Sequence, residues 1–154
     1  MRDFNEADRK KKTARIRIQE NPGTLSKEVL SQLEGTVKTS LKDGYLPCHV
    51  AWEIAKEANV PKVAIGEITD RLGIRITNCQ IGCFRIEKTP YDNSAHKNID
   101  DEIITVLETL KRTNQLTCAK VFDLAAQFKL KPMVIANEVN AQNLKIHGCQ
   151  LGCF

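Results

Sequence analysis

The sequence predicts a mainly α fold with short β segments, arranged as two tandem units, and three observations predict it. The first is an internal repeat. Residues 46 to 84 and 116 to 154 superpose at a spacing of 70, most visibly where Ile76-Thr77-Asn78-Cys79-Gln80-Ile81-Gly82-Cys83-Phe84 meets Ile146-His147-Gly148-Cys149-Gln150-Leu151-Gly152-Cys153-Phe154. Further in, Leu46, Cys48, Ile54, Ala55 and Val60 match Leu116, Cys118, Leu124, Ala125 and Leu130. The second observation is apolar residues three and four apart, the period of a helix with one buried face. The third is the alternation in Ile74-Arg75-Ile76-Thr77 and Leu144-Lys145-Ile146-His147, the pattern of a half-buried strand.

Composition sets the class. Hydrophobic residues make up 42% of the 154 and aromatics 5%, as in a helix-rich soluble chain with a packed core. The longest uncharged apolar runs fall far short of the ~20 residues that cross a bilayer, and the charged start has no apolar stretch behind it, so neither a membrane span nor a secretory signal is expected. A cytoplasmic location follows as the expectation. The first twenty residues carry seven bases (Arg2, Arg9, Lys10, Lys11, Lys12, Arg15, Arg17) against four acids, whereas the remainder carries 16 against 15. Residues 1–23 therefore read as a basic arm, either a solvated tail or a contact for phosphate backbones through Lys10, Lys11, Lys12, Arg15 and Arg17.

The first unit is expected over 24–84. Its leading helix shows Leu25, Val29, Leu33, Val37 and Leu41, with Thr24 as N-cap and Gly44 as the stop. The second unit is expected over 99–154, led by Ile99, Ile103, Val106, Leu107 and Leu110. There Asp100 to Glu102 complement the positive helix end, and Asn114 stops the helix. Between them, 85–98 is polar, contains Pro90 and Asp92-Asn93-Ser94, and reads as a linker.

Inside the first unit, Ile54 and Ala58 face a core, Ala55 is small where a second helix must cross, Asn59 tolerates a positive φ, and Val60 plugs the corner before Ile65 and Ile68. In the second copy Leu124, Ala125, Phe128, Leu130, Ile135 and Val139 fill these roles. There Lys131 reads as an inserted residue that sets Pro132 opposite Pro61, Val134 opposite Val63 and Glu138 opposite Glu67, with one residue lost before Leu144. With Lys129 at the turn, a distorted corner is expected. Gly73 and Asn143 end the second helices. Trp52 and Phe122, at one repeat position on an apolar face, read as core.

This arrangement resembles the helix-turn-helix and winged-helix domains of prokaryotic transcription regulators, present in tandem, each closed by a short strand or hairpin. The resemblance implies that the second helix of each pair enters the DNA major groove. In the first copy that helix offers Lys62, Val63, Gly66, Glu67, Asp70 and Arg71. In the second, Lys131, Asn137, Asn140, Gln142 and Asn143 are residue types that pair with base edges. DNA is the implied partner, with a homodimer or protein partner as the other option.

The six cysteines fall three per copy: Cys48, Cys79 and Cys83; Cys118, Cys149 and Cys153. A Cys-x3-Cys pair on an extended strand spans ~13 Å, too far to share a metal, so chelation requires the segment to fold back. If it does, three thiolates with His49 or His147, three with an open position, or a site shared between the repeats would suit zinc or an iron–sulfur cluster, making a metal or thiol sensor or a protein-interaction module the alternative function. The other reading of these cysteines is core packing, with Cys48 and Cys118 near helix N-termini the better reactive candidates. His49, His96 and His147 have no Ser or Asp constellation beside them in sequence, and neither a phosphate-binding glycine loop nor a paired-carboxylate pattern occurs. No enzyme is expected.

Overall fold

The computed structural model describes residues 25–84 and 101–154, together with Glu6, Ala7 and Lys10. Lys11, Lys12, Arg15, Arg17, the expected N-cap Thr24 and the expected linker lie outside the described residues. The first repeat forms α1 (Lys27–Thr39), β1 (Leu46–Pro47), α2 (Cys48–Glu57), α3 (Lys62–Arg71) and β2 (Ile76–Thr77), and the second forms α4 (Asp101–Arg112), α5 (Cys118–Gln127) and α6 (Pro132–Ala141). None of these helices is long and apolar enough to cross a membrane.

The first helix starts and stops elsewhere than its apolar period suggests. Ser26 caps α1, its Oγ accepting from the Val29 N–H at 3.3 Å, and only Leu33 and Val37 of its face are fully buried. The helix ends at Thr39, well before Gly44. Asp43 (φ 52°) and Gly44 (φ 79°) instead form a tight turn closed by reciprocal Lys42–Tyr45 backbone bonds. Asn114 does act as the stop of α4, at φ 55° with Gln115 N–H bonded to Leu110 O.

The two helix pairs share one geometry, and the expected insertion at Lys131 is not there. Asn59 (φ 52°) and Lys129 (φ 54°) both take the left-handed conformation at the corner. Val60 N–H reaches Ala55 O at 2.9 Å, and Leu130 N–H reaches Ala125 O at 2.8 Å. Pro61 and Lys131 are the N-caps of α3 and α6, so Pro132 opens its helix one position after the place Pro61 holds, and Val134 and Glu138 likewise pair with Ala64 and Ile68. The exit is equivalent too: Gly73 (φ 70°) and Asn143 (φ 55°) end the second helices, and Ile74 N–H and Leu144 N–H return to Thr69 O and Val139 O. A lysine adopts the corner because a left-handed residue there lets the chain reverse and satisfy the last carbonyls of the first helix, which outweighs its Cβ penalty.

The core of each pair is as the apolar period predicts, with exceptions at the corner. Ile54, Ala55, Ile65, Ile68, Leu124, Ala125, Ile135 and Val139 are all buried. Ala58 is exposed because it is the C-cap of α2, and Phe128 and Leu130 are half-buried. Trp52 and Phe122 are half-buried as well, where core was expected.

The closing strand pairs differently from a hairpin. β2 lies parallel to β1, Leu46 opposite Ile76 and Pro47 opposite Thr77, and the second copy keeps the equivalent bridge Thr117–His147. Parallel strands need a crossover, and here the α2–α3 pair is that crossover. The chain divides into two compact units, one holding the described residues up to Cys79 together with Gln150–Phe154, the other those of Gln80–Cys149. The units therefore do not end where the repeats end. The Gln-x-Gly-Cys-Phe motif closing each repeat belongs to the other unit.

Candidate nucleic-acid interface and cysteine motifs

In the first unit α1 packs on both α2 and α3, and the outer flank of α3 is half-buried at Lys62, Val63, Glu67 and Asp70 and exposed only at Arg71. That flank is not open. Lys62 Nζ donates to Gln150 Oε1 at 2.7 Å and sits 3.5 Å from the centroid of the Trp52 ring. A Cβ on Gly66 would collide with the carbonyl of Leu151, and one on Gly152 would lie 3.7 Å from Val63 Cγ2. Of the six residues expected to face DNA in this copy, Lys62, Val63 and Gly66 are thus engaged by the C-terminal segment. Arg71 pairs with Glu34 of α1 at 3.6 Å in a partly exposed contact, and Glu67 and Asp70 are half-buried. Buried Thr69 donates its hydroxyl to Gly66 O at 2.7 Å and holds the turn beneath that flank.

The second unit presents a better surface. Lys131, Asn140 and Asn143 are exposed and Asn137 is half-buried, all on or bordering α6. Gln142 donates to Glu138 Oε1 at 2.9 Å, which holds its amide along the helix. The neighbouring cation Lys145 is exposed, whereas Lys120 pairs with Asp123 at 3.6 Å. In the arm, Lys10 pairs with Glu6 at 3.4 Å, both strongly exposed, so that ion pair is weak enough to yield to a phosphate.

The cysteines are not gathered as the repeat suggests. Cys48, Cys79 and Cys118 are buried, Cys149 and Cys153 half-buried, and Cys83 exposed. Cys48 and Cys118 do begin α2 and α5, but burial makes them the less accessible thiols. The motifs do turn back, with Gly82 at φ 74° and Gly152 at φ 68°. Even so, among the described residues no group of three or more His, Cys, Asp or Glu side chains could hold a metal ion. The division into units regroups the cysteines without separating them, placing Cys153 with Cys48 and Cys79, and Cys83 with Cys118 and Cys149.

Sequence reasoning passed over Gln150, Leu151 and the role of Gly66. One signal was present: Gly66 stands mid-helix where the second copy has Ala136. A mid-helix glycine costs about 1 kcal/mol relative to alanine and calls for a packing reason. The chain matches no family model, no characterised protein and no solved structure.

Proposed function

We propose that the chain is a DNA-binding protein, a transcriptional regulator built from two helix-turn-helix units of winged-helix type in which a strand parallel to β1 stands in place of the wing. The observation that carries this reading is the shared corner, with its left-handed Asn59 or Lys129 between two ten-residue helices. It sets the second helix across the first, as groove insertion requires. The second unit is the reader: α6 offers Lys131 to a phosphate and Asn137 and Asn140 to adenine edges, where the equivalent positions of the first copy hold Pro61, Glu67 and Asp70. The basic arm adds phosphate contacts from Lys10, Lys11, Lys12, Arg15 and Arg17.

Titration of a random-sequence duplex at graded salt tests this. The affinity falls steeply with salt, and Lys131→Ala lowers the slope of log K against log salt by about 0.9, the share of one phosphate contact. Asn140→Ala leaves that slope unchanged and relaxes preference among sequences. Absence of binding at low salt, or binding indifferent to Lys131 and to the arm, would remove this reading.

A further inference from the structure

The segment Gln150–Phe154 is held on α3 by contacts that read its sequence. Lys62, braced over the Trp52 ring, donates to the Gln150 side chain. Leu151 is 1% exposed, and its backbone approaches α3 so closely that only glycine fits at position 66. Gly152, in a left-handed conformation, comes next along the flank, beside Val63. The segment is not local to this unit, because the chain reaches it only after leaving the Gln80–Cys149 unit. Its sister Gln80–Phe84, whose Ile81 is also 1% exposed, likewise joins the unit that its own repeat did not build.

We infer that the Lys62–Val63–Gly66 flank of α3 is a peptide-binding surface specific for a Gln-Leu-Gly-Cys-Phe segment, filled in cis by Gln150–Phe154 and in trans by the same segment of a second copy of the chain. A segment that crosses between units makes identical contacts whichever identical chain supplies it, which is the basis of segment exchange. The proposal does not depend on DNA binding.

The test uses the full chain carrying Leu151→Asp under reducing conditions. This variant keeps its helicity, and the emission of Trp52, the one tryptophan of the sequence, shifts as the segment leaves. A labelled synthetic peptide of residues 148–154 then binds saturably and returns the emission toward that of the unsubstituted chain. Adding Gly66→Val to the same chain weakens the peptide by at least about tenfold. The full-length Gly66→Val chain, whose own segment is intact but unseated, displaces the peptide. No saturable binding, binding indifferent to Gly66→Val, or failure of that chain to displace the peptide would overturn the inference. So would loss of helicity in both Leu151→Asp and the milder Leu151→Ala, since a segment the unit cannot fold without is core and not a ligand.

Discussion

Lys62 is the residue whose meaning changes most between sequence and structure. A lysine near the start of a second helix reads as a phosphate contact, yet its ammonium lies over Trp52 and bonds Gln150. A cation over an indole contributes ~0.5–1 kcal/mol, and a charge-assisted hydrogen bond about 1.5–3 kcal/mol. Part-exposure puts the pair toward the lower end. Lys62→Met is therefore expected to lower unfolding stability by about 1–2 kcal/mol in urea titration followed by Trp52 emission, and to leave duplex affinity nearly unchanged. A large loss of duplex affinity without a stability change would show that the ammonium works outward. Thr69 is the complementary case. Its buried hydroxyl bonds Gly66 O, so Thr69→Val, which keeps the shape, is expected to cost about 1 kcal/mol.

At the scale of the element, the corner of the second helix pair carries a removable strain. Lys129 holds φ 54° where a Cβ is unfavourable, so Lys129→Gly is expected to raise thermal stability by about 0.5–1 kcal/mol. Asn59→Val, placing a β-branched residue at φ 52°, is expected to lower it by about 1–2 kcal/mol. The repeat made both corners legible. The register of the second was misread because two prolines were matched to each other, when what the fold conserves is the number of residues from the left-handed turn to the next helix. The start of α1 carries a pH dependence. Hydrogen bonds from its own backbone amide and from the Ser26 side chain hold the Glu28 carboxyl below the ordinary 4.5. The folded value lies below the unfolded one, so the stabilisation is fully present above 4.5 and is lost as pH falls through the lowered value. The protection of the Val29 and Leu30 amides, relative to their intrinsic exchange rate at each pH, is expected to fall over that window, and Glu28→Gln to abolish the change.

At the scale of the whole molecule, the first unit buries a leucine supplied by the far end of the chain. Leu151→Ala is expected to destabilise the unit reported by Trp52 by about 2–4 kcal/mol, although residues 25–79 are untouched. Equal destabilisation in the absence of any Trp52 signal would place the loss elsewhere. The sequence by itself determined the duplication, the helix pairs and the buried face of each, because periodicity and turn chemistry are local and repeat with the chain. It also left open that the Cys-x3-Cys motif turns back, since the glycine makes a turn possible there, and the structure places Gly82 and Gly152 at positive φ. Tertiary structure alone decided which unit each motif joins, that β2 pairs in parallel with β1, and that the outer flank of α3 is occupied. Those outcomes depend on which distant backbone can approach Gly66 and Lys62 closely enough to bury a leucine, and neither spacing nor composition encodes that approach.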